Sequence, residues 1–407
     1  MKIIPEILAI GADMRAIRHD IHAHPELGYD VHRTADLVAT ELASWGIAVT
    51  RGIGRTGVVG TLTGTLDVAD AKNSAGQHPH RAIGLRADMD ALPVQEANQF
   101  AYRSTTPGKM HACGHDGHTT MLLGAARYLA SHRQFAGTVH FFFQPAEEHG
   151  AGAQAMIDDG LFERFPVDAV FGIHNWPGMP EGKFGLRVGP LMASTSDFRV
   201  TVKGTGAHAA MPHNGQDPLF AAIQLANAAQ GIITRNKKPI DTAVLSITQF
   251  HAGDINNVIP DVAWFSGTVR TFTEDTLDLI ESRLRSLAPA MASALGCEAV
   301  VDFDRHYPPT INDETATGIA ADVIADTFGE AMLDRDIEPT MGAEDFSYML
   351  KACPGCYVFL GNGTGEHRGS QGGLGPCSLH NPSYDFNDAL LPIGASYFAK
   401  VVEKYLG

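Results

Sequence analysis

Cysteine is scarce in this chain, with five residues, Cys113, Cys297, Cys353, Cys356 and Cys377, among 407. So odd and sparse a set does not build the disulfide framework of a small secreted domain. Cys353-Pro-Gly-Cys356 has the spacing of a redox pair. It lacks the strand–helix setting and aromatic neighbour of one, so it reads as an incidental loop. Long apolar runs are also missing. The longest are strand-length, such as Val139-His-Phe-Phe-Phe143, far short of the ~18 residues that cross a bilayer. At the N-terminus Pro5 and Glu6 break the apolar stretch and no small-residue cleavage site follows, so it does not read as a signal peptide. A cytoplasmic location is expected. Basic residues are outnumbered, 30 Lys and Arg against 46 Asp and Glu, for a formal charge of −16. That argues against a nucleic-acid binder, which needs a basic face. It leaves other ligands open, because a cleft can differ in sign from the whole surface.

What is present is an ordinary globular composition, 44% hydrophobic and 19% charged, in a chain long enough for two or three domains. Residues 13–46 show helical periodicity up to Gly46 and are expected to form one helix. Strands are expected at Val58–Leu62, Ala82–Arg86, Thr138–Gln144 and Val167–Ile173. Helices are expected at Gly117–Arg133 and Gln154–Asp159. That alternation implies an α/β sheet with helices on both faces. Near Gly189 the pattern changes. Asp197–Lys203 alternates with period two, followed by a helix at Leu219–Arg235 and strands at Thr242–His251 and Asp261–Phe272. A helix at Thr276–Leu295 and a strand at Glu298–Asp304 complete a β-α-β-β-α-β order, the ferredoxin-like unit. Helix–strand alternation then resumes, with helices at 314–328 and around 344–351, a strand at Cys356–Gly361 and a closing helix at about 388–405. Gly361–Gly375 is a glycine-rich loop. The economical division is 1–189 and 306–407 as one α/β domain, interrupted by an inserted α+β domain at 190–305.

Chemistry is concentrated in a few segments. Met110-His-Ala-Cys-Gly-His-Asp-Gly-His118 places Cys113 and His115 two apart, and Gly114 and Gly117 permit a path that aims both at one ion. Thiolate plus imidazole suits zinc and related divalent metals; a helix cap with surface histidines is the plain alternative. Phe141-Phe-Phe-Gln-Pro-Ala-Glu-Glu148 is an apolar strand that delivers two adjacent carboxylates. Beyond the carboxyl end of a strand is where α/β proteins do chemistry. Two like charges there need a counter-charge, and a dication supplies it, leaving one glutamate as ligand and the other as general base. A solvated helix start would also carry acidic residues. Val170-Phe-Gly-Ile-His174 and Leu379-His-Asn-Pro382 contribute His174 and His380; buried structural histidines are the ordinary reading of each. Jointly, however, the segments offer Cys, His, Glu, His and His beside a spare Glu, the donor set of a catalytic metal centre. Asp88 and Asp90 end the strand before Ala-Leu-Pro93; either can orient a metal-bound imidazole, and Asp88 can also ligate.

These motifs, with His19, His24-Pro-Glu-Leu-Gly28 and Gly342-Ala-Glu-Asp-Phe346, resemble the hippurate hydrolase and auxin-conjugate hydrolase branch of the aminoacylase–carboxypeptidase metallopeptidases. The resemblance runs nearly end to end. It implies a two-domain subunit, with a zinc-peptidase-like catalytic α/β domain holding two divalent ions (zinc, manganese or cobalt) and an inserted ferredoxin-like domain that dimerises. It implies Cys113, His115, Glu148, His174 and His380 as metal ligands, Glu147 as general base and Asp90 as an orienting group. Asp88 stands where more distant relatives carry a histidine, and its role is left open. In the insert, the resemblance implies His208 as an oxyanion donor, often across a dimer interface, and Asn257 and Arg270 as binders of the substrate carboxylate. A glycine turn at 204–206 and an exposed strand arginine are the structural alternatives there. The implied activity is hydrolysis of small N-acyl amino acids. A dipeptidase or aminopeptidase of the same metal chemistry is the near alternative, and a non-catalytic metal-binding relative the more distant one.

Overall fold

The structure, a computed structural model, describes residues 2–66, 81–365 and 377–407. It forms two compact units. One comprises Met1–Leu191, Ile311–Glu338 and Asp345–Gly407; the other comprises Met192–Thr310 and Pro339–Glu344.

The first unit is built on an eight-stranded sheet. From edge to edge the strands are Ala48–Ile53, Gly57–Thr63, Thr138–Gln144, Ala82–Asp88, Ala169–Pro177, Gly355–Gly363, Phe184–Gly185 and Leu333–Asp334. The four from Thr138–Gln144 to Gly355–Gly363 run parallel, so their carboxyl ends share one rim. Apolar β-formers fill them, and side chains alternate between faces. Cys356, Val358 and Leu360 join the core beneath helices His115–Ser131, Glu314–Phe328 and Leu391–Leu406. Tyr357 faces the opposite way, with its ring 5.1 Å from that of Phe346 in the helix Phe346–Ala352. Helices therefore cover both faces, as the α/β alternation implies.

Several expectations are corrected. The single helix expected over 13–46 is two helices, Gly11–Ala23 and His32–Ser44. Between them Pro25 removes an amide donor and Gly28 turns at φ +53°. The Glu26 carboxylate then accepts the backbone N–H groups of Arg33 at 3.0 Å and Thr34 at 2.9 Å, satisfying the first turn of the second helix. Both helices bury apolar residues, so their periodicities read as one. The helix expected from Gly117 begins at His115. Of the glycine-rich loop at 361–375, residues 361–363 finish a strand, and 366–375 lie outside the described residues.

The second unit is a four-stranded antiparallel sheet in the order Ala243–Ala252, Val262–Thr271, Ser196–Lys203, Glu298–Arg305. With helices Pro218–Gly231 and Glu274–Ala294 it has the ferredoxin-like order. Phe198, Val200 and Val202 alternate into a core shared with Leu225, Leu277 and Ile280. Both helices start at side-chain caps: Asp217 accepts from Leu219 and Phe220, and Thr273 accepts from Thr276. A separate two-stranded ribbon pairs Ala207–His208 with Val258–Ile259.

No helix among the described residues is long and apolar enough to cross a membrane. Close packing at the centre of the large sheet gives a test of the fold. A Cβ at Gly84 would sit 2.4 Å from Phe142 Cε2 and 3.1 Å from Val170 Cγ1. Gly84→Ala is expected to destabilise the protein by about 1–3 kcal/mol, the usual cost of overpacking, read as a lower midpoint in denaturant unfolding.

Candidate metal centre and active site

The chain reaches one rim of the large sheet several times. Asp88 ends its strand there. The neighbouring strand ends at Gln144, and the chain continues through Pro145 and Ala146, the latter at φ +55°, to Glu147 and Glu148. His174 lies on the next strand, opposite Phe359. The helix His115–Ser131 also begins here, after Gly114 at φ +92°. A Cβ on Gly114 would lie 2.3 Å from Asn175 Nδ2, so glycine is required for fit as well as for backbone angle. Gly117, which the sequence offered as a second turn, is inside that helix against Phe386. His380 arrives from the C-terminal segment, left-handed at φ +65°, its N–H bonded to the Ala112 carbonyl at 2.8 Å.

The five candidate ligands converge. Cys113 Sγ lies 3.4 Å from His174 Nε2. Glu148 Oε1 lies 3.5 Å from His380 Nε2 and 3.9 Å from His115 Nε2. Two overlapping groups, Cys113–His115–His174 and Cys113–Glu148–His380, have donor atoms within coordinating reach of one ion. Glu147 joins His115 and Glu148 in a further group, its Oε2 3.9 Å from His115 Nε2.

His115 tests whether cations fit. Its ring is wholly buried, and among the described residues neither of its nitrogens has a hydrogen-bond partner; Glu148 Oε1 is likewise buried with no hydrogen bond there, its contact to His380 being an ion-pair distance. Around that ring stand Asp90 at 3.6 Å, Asp88 at 3.8 Å and both glutamates at 3.9 Å. These separations are too long for hydrogen bonds. Burial alone would strip a proton from His115, yet Asp88, Asp90 and Glu148 push its pKa up to about 10. The space is therefore strongly negative and favours positive charge. His174 behaves oppositely: burial, then the neighbouring His118, hold it well below the ordinary histidine value, in the unprotonated form that ligates metal. Thiolate, imidazole and carboxylate donors gathered within reach of one another, with His380 at the exposed edge of the set, suit divalent transition metals.

The open role of Asp88 acquires a context. Its Oδ1 accepts from His118 Nδ1 and its Oδ2 from Arg86 Nη1, both at 2.7 Å. Burial opposes ionisation, but His115, His118 and Arg86 hold its carboxyl well below the usual range. Arg86 is held in turn by Gln144 at 2.8 Å and by Asp345 at 3.0 Å, and Asp345 also accepts from Gln144 and from the Ala153 amide. Asp90 accepts the amide N–H of Glu147 at 2.9 Å and of Glu148 at 3.2 Å. It thereby fixes the backbone from which both glutamates project, and burial raises its own pKa.

Sequence reading alone missed His118, Arg86, Asn175 and a buried network beneath the helix start. There Arg18, wholly buried, bonds Asp385 at 2.7 Å and Asp388 at 2.8 Å and lies 3.5 Å from Asp116. His22 bridges Asp116 and Glu96; although burial disfavours its cation, these bonds raise its pKa to about 9. The only signal was the resemblance covering His19 to Gly28. Cys353 and Cys356 form no disulfide and are buried, with desolvation raising both thiols to about 12.

The remaining candidates lie in the second unit. His208 is exposed on the ribbon, its Nδ1 accepting from the Ala210 amide at 3.1 Å. Exposed Asn257 is brought beside it, its carbonyl accepting from the Ala209 amide at 3.0 Å. Arg270 stands elsewhere, in the strand Val262–Thr271, donating to Thr268 and to the Val269 carbonyl.

Residues 84–404 match the sequence profile of peptidase family M20/M25/M40. The chain belongs to that family. It is 42% identical to a hippurate hydrolase of Campylobacter jejuni over 407 residues, covering all of both chains. It is 37% identical to an N-acetyl-L-cysteine deacetylase of Bacillus subtilis over 383 residues, 94% of this chain and 85% of that one. A crystal structure of a dinuclear metal binding M20 peptidase from Bacillus subtilis superposes with a TM-score of 0.82 at 32% identity, over 98% of this chain and 99% of that one. Membership of a peptidase family makes the chain a hydrolase, and the donor set above is its candidate metal centre.

Removing Asp90 tests the scaffold of that centre. Asp90→Ala leaves the buried amides of Glu147 and Glu148 without acceptors, at about 1–3 kcal/mol each. Lower stability in denaturant titration and reduced bound metal by elemental analysis are expected together.

Proposed function

We propose that this protein hydrolyses the amide bond of small N-acyl amino acids, such as hippurate or N-acetyl amino acids, releasing a carboxylic acid and a free amino acid. One observation carries the reading: Cys113, His115, Glu148, His174 and His380 converge on one rim with Glu147 beside them. The names of the Campylobacter and Bacillus relatives support the substrate class. Two divalent ions, when bound, would polarise a water and the scissile carbonyl.

The chain's own residues then have distinct tasks. Cys113, His115, Glu148, His174 and His380 hold the ions. Glu147 takes the proton of the attacking water and delivers it to the leaving nitrogen. Its buried position and its distance from His115 support that role, as does the closer engagement of Glu148 with His380. Asp90 orients both glutamates, and Asp88 orients His118. His208 is proposed to donate to the developing oxyanion. Asn257 and Arg270 are proposed to bind the free carboxylate, for which a guanidinium is suited by its bidentate geometry. A homodimer formed through the second unit and a cytoplasmic location are the accompanying expectations.

The direct test is a substrate panel on the chain reconstituted with zinc, manganese or cobalt. Hippurate and N-acetyl amino acids are expected to turn over faster than dipeptides with a free amine; the reverse order favours the peptidase alternative. No turnover of any acyl amino acid with any of these metals would favour the non-catalytic one. Glu147→Gln is expected to retain its metal and lose about 10²–10⁴-fold in kcat, the usual loss of a general base. Near-normal turnover with metal bound excludes Glu147 from that role.

A further inference from the structure

The residue after His174 has no part in the chemistry above, yet all of its polar groups are committed within the centre. Asn175 is wholly buried. Its carbonyl accepts from His174 Nδ1 at 2.6 Å, and its amide N–H donates to His118 Nε2 at 3.0 Å. Its Nδ2 donates to the Cys113 carbonyl at 2.6 Å and lies 3.1 Å from His118 Nε2. Its Oδ1 accepts from the Tyr384 hydroxyl at 2.6 Å. The orientation of the amide follows from its partners: the Cys113 carbonyl can only accept, so Nδ2 faces it.

Three of these bonds bear on candidate ligands or their segments, and the fourth on a supporting histidine. With Nδ1–H donated to a carbonyl, His174 presents its other nitrogen, Nε2, toward Cys113 Sγ at 3.4 Å; the bond made by one ring nitrogen determines which of the two can ligate. Pinning the Cys113 carbonyl restrains the backbone from which its thiol projects. Tyr384 lies four residues after His380, so its hydroxyl ties the C-terminal segment to the same amide. The backbone N–H makes His118 Nε2 an acceptor, which leaves Nδ1–H for Asp88 at 2.7 Å. Both His118 nitrogens are thus occupied, and His118 is a support, not a ligand. Gly114 records the crowding, because a Cβ there would collide with Asn175 Nδ2 and lie 2.6 Å from the Tyr384 hydroxyl.

We propose that Asn175 is a positioning residue of the metal centre, whose side chain holds the Cys113 loop and the segment after His380 in register with His174. The inference rests on reading this centre as a metal site. The test uses the full-length chain, stripped with chelator and titrated with Co(II), whose bond to a thiolate gives an absorption band. The wild-type chain is expected to show the band and Cys113→Ala to lack it. Asn175→Ala is expected to weaken or shift the band and raise the cobalt dissociation constant about 10–100-fold, the usual cost of losing a group that orients ligands. An unchanged band and dissociation constant in Asn175→Ala, whatever happens to its melting temperature, overturn the proposal. If Asn175→Ala does not fold, Tyr384→Phe decides. It removes one hydroxyl from the same bond set, and it is expected to shift the band and weaken cobalt binding to a smaller degree. No change in either measure overturns the proposal. A wild-type chain without the band removes the metal reading and this one together; a wild-type band unaltered in the variants removes the role of Asn175 alone.

Discussion

Four carboxylates, those of Asp88, Asp90, Glu147 and Glu148, crowd one buried imidazole, and this concentration of negative charge is the constraint on which the site depends. Away from water, like charges repel far more strongly than they do in solvent. The protein meets the cost unevenly. Asp88 receives a permanent partner in Arg86, whose guanidinium is shared with Gln144 and Asp345. Asp90 is satisfied by backbone amides. The glutamates face His115, whose ring makes no hydrogen bond among the described residues. The charge left over at that point is what divalent cations would balance, so the chemistry and the electrostatics point to the same place.

The surrounding structure keeps those charges from relaxing into other pairings. Arg18, buried among Asp116, Asp385 and Asp388, joins the first helices, the start of the His115–Ser131 helix and the segment after His380. A buried cation with several well-placed carboxylates gives little net stability, but it is costly to break. Its value here is geometric, since Asp116 follows a candidate ligand directly and Asp385 comes five residues after another, His380. Asn175 performs a neutral version of the same task at Cys113, using amide hydrogen bonds.

Much of this is legible in the amino-acid sequence. The apolar strands that lead to Asp88, to Glu147–Glu148 just past Gln144, and to His174 can be read because buried parallel strands are continuous apolar runs. The strand expected to stop at Ile173, however, continues through His174 to Pro177. The order of elements in the insert is equally plain, because period-two strands and capped helices are local features. The break between Ala23 and His32 is less plain. It depends on Pro25, on Gly28 and on a carboxylate at Glu26 reaching forward to cap the next helix, a bond that periodicity does not reveal.

The donor types, the α/β class and the family all reside in short contiguous motifs, and the linear chain carries them unaided. Packing alone settles that Asp88 belongs to Arg86 and His118, that Asp90 holds the glutamate backbone, and that Asn175 meets Cys113, His118 and Tyr384 at once. The physical reason is sequence distance. The partners of Asn175 lie at |i−j| of 62, 57 and 209, and no local pattern encodes which buried polar groups will satisfy one another. That is settled only when strands and helices have packed and every donor left inside must find an acceptor.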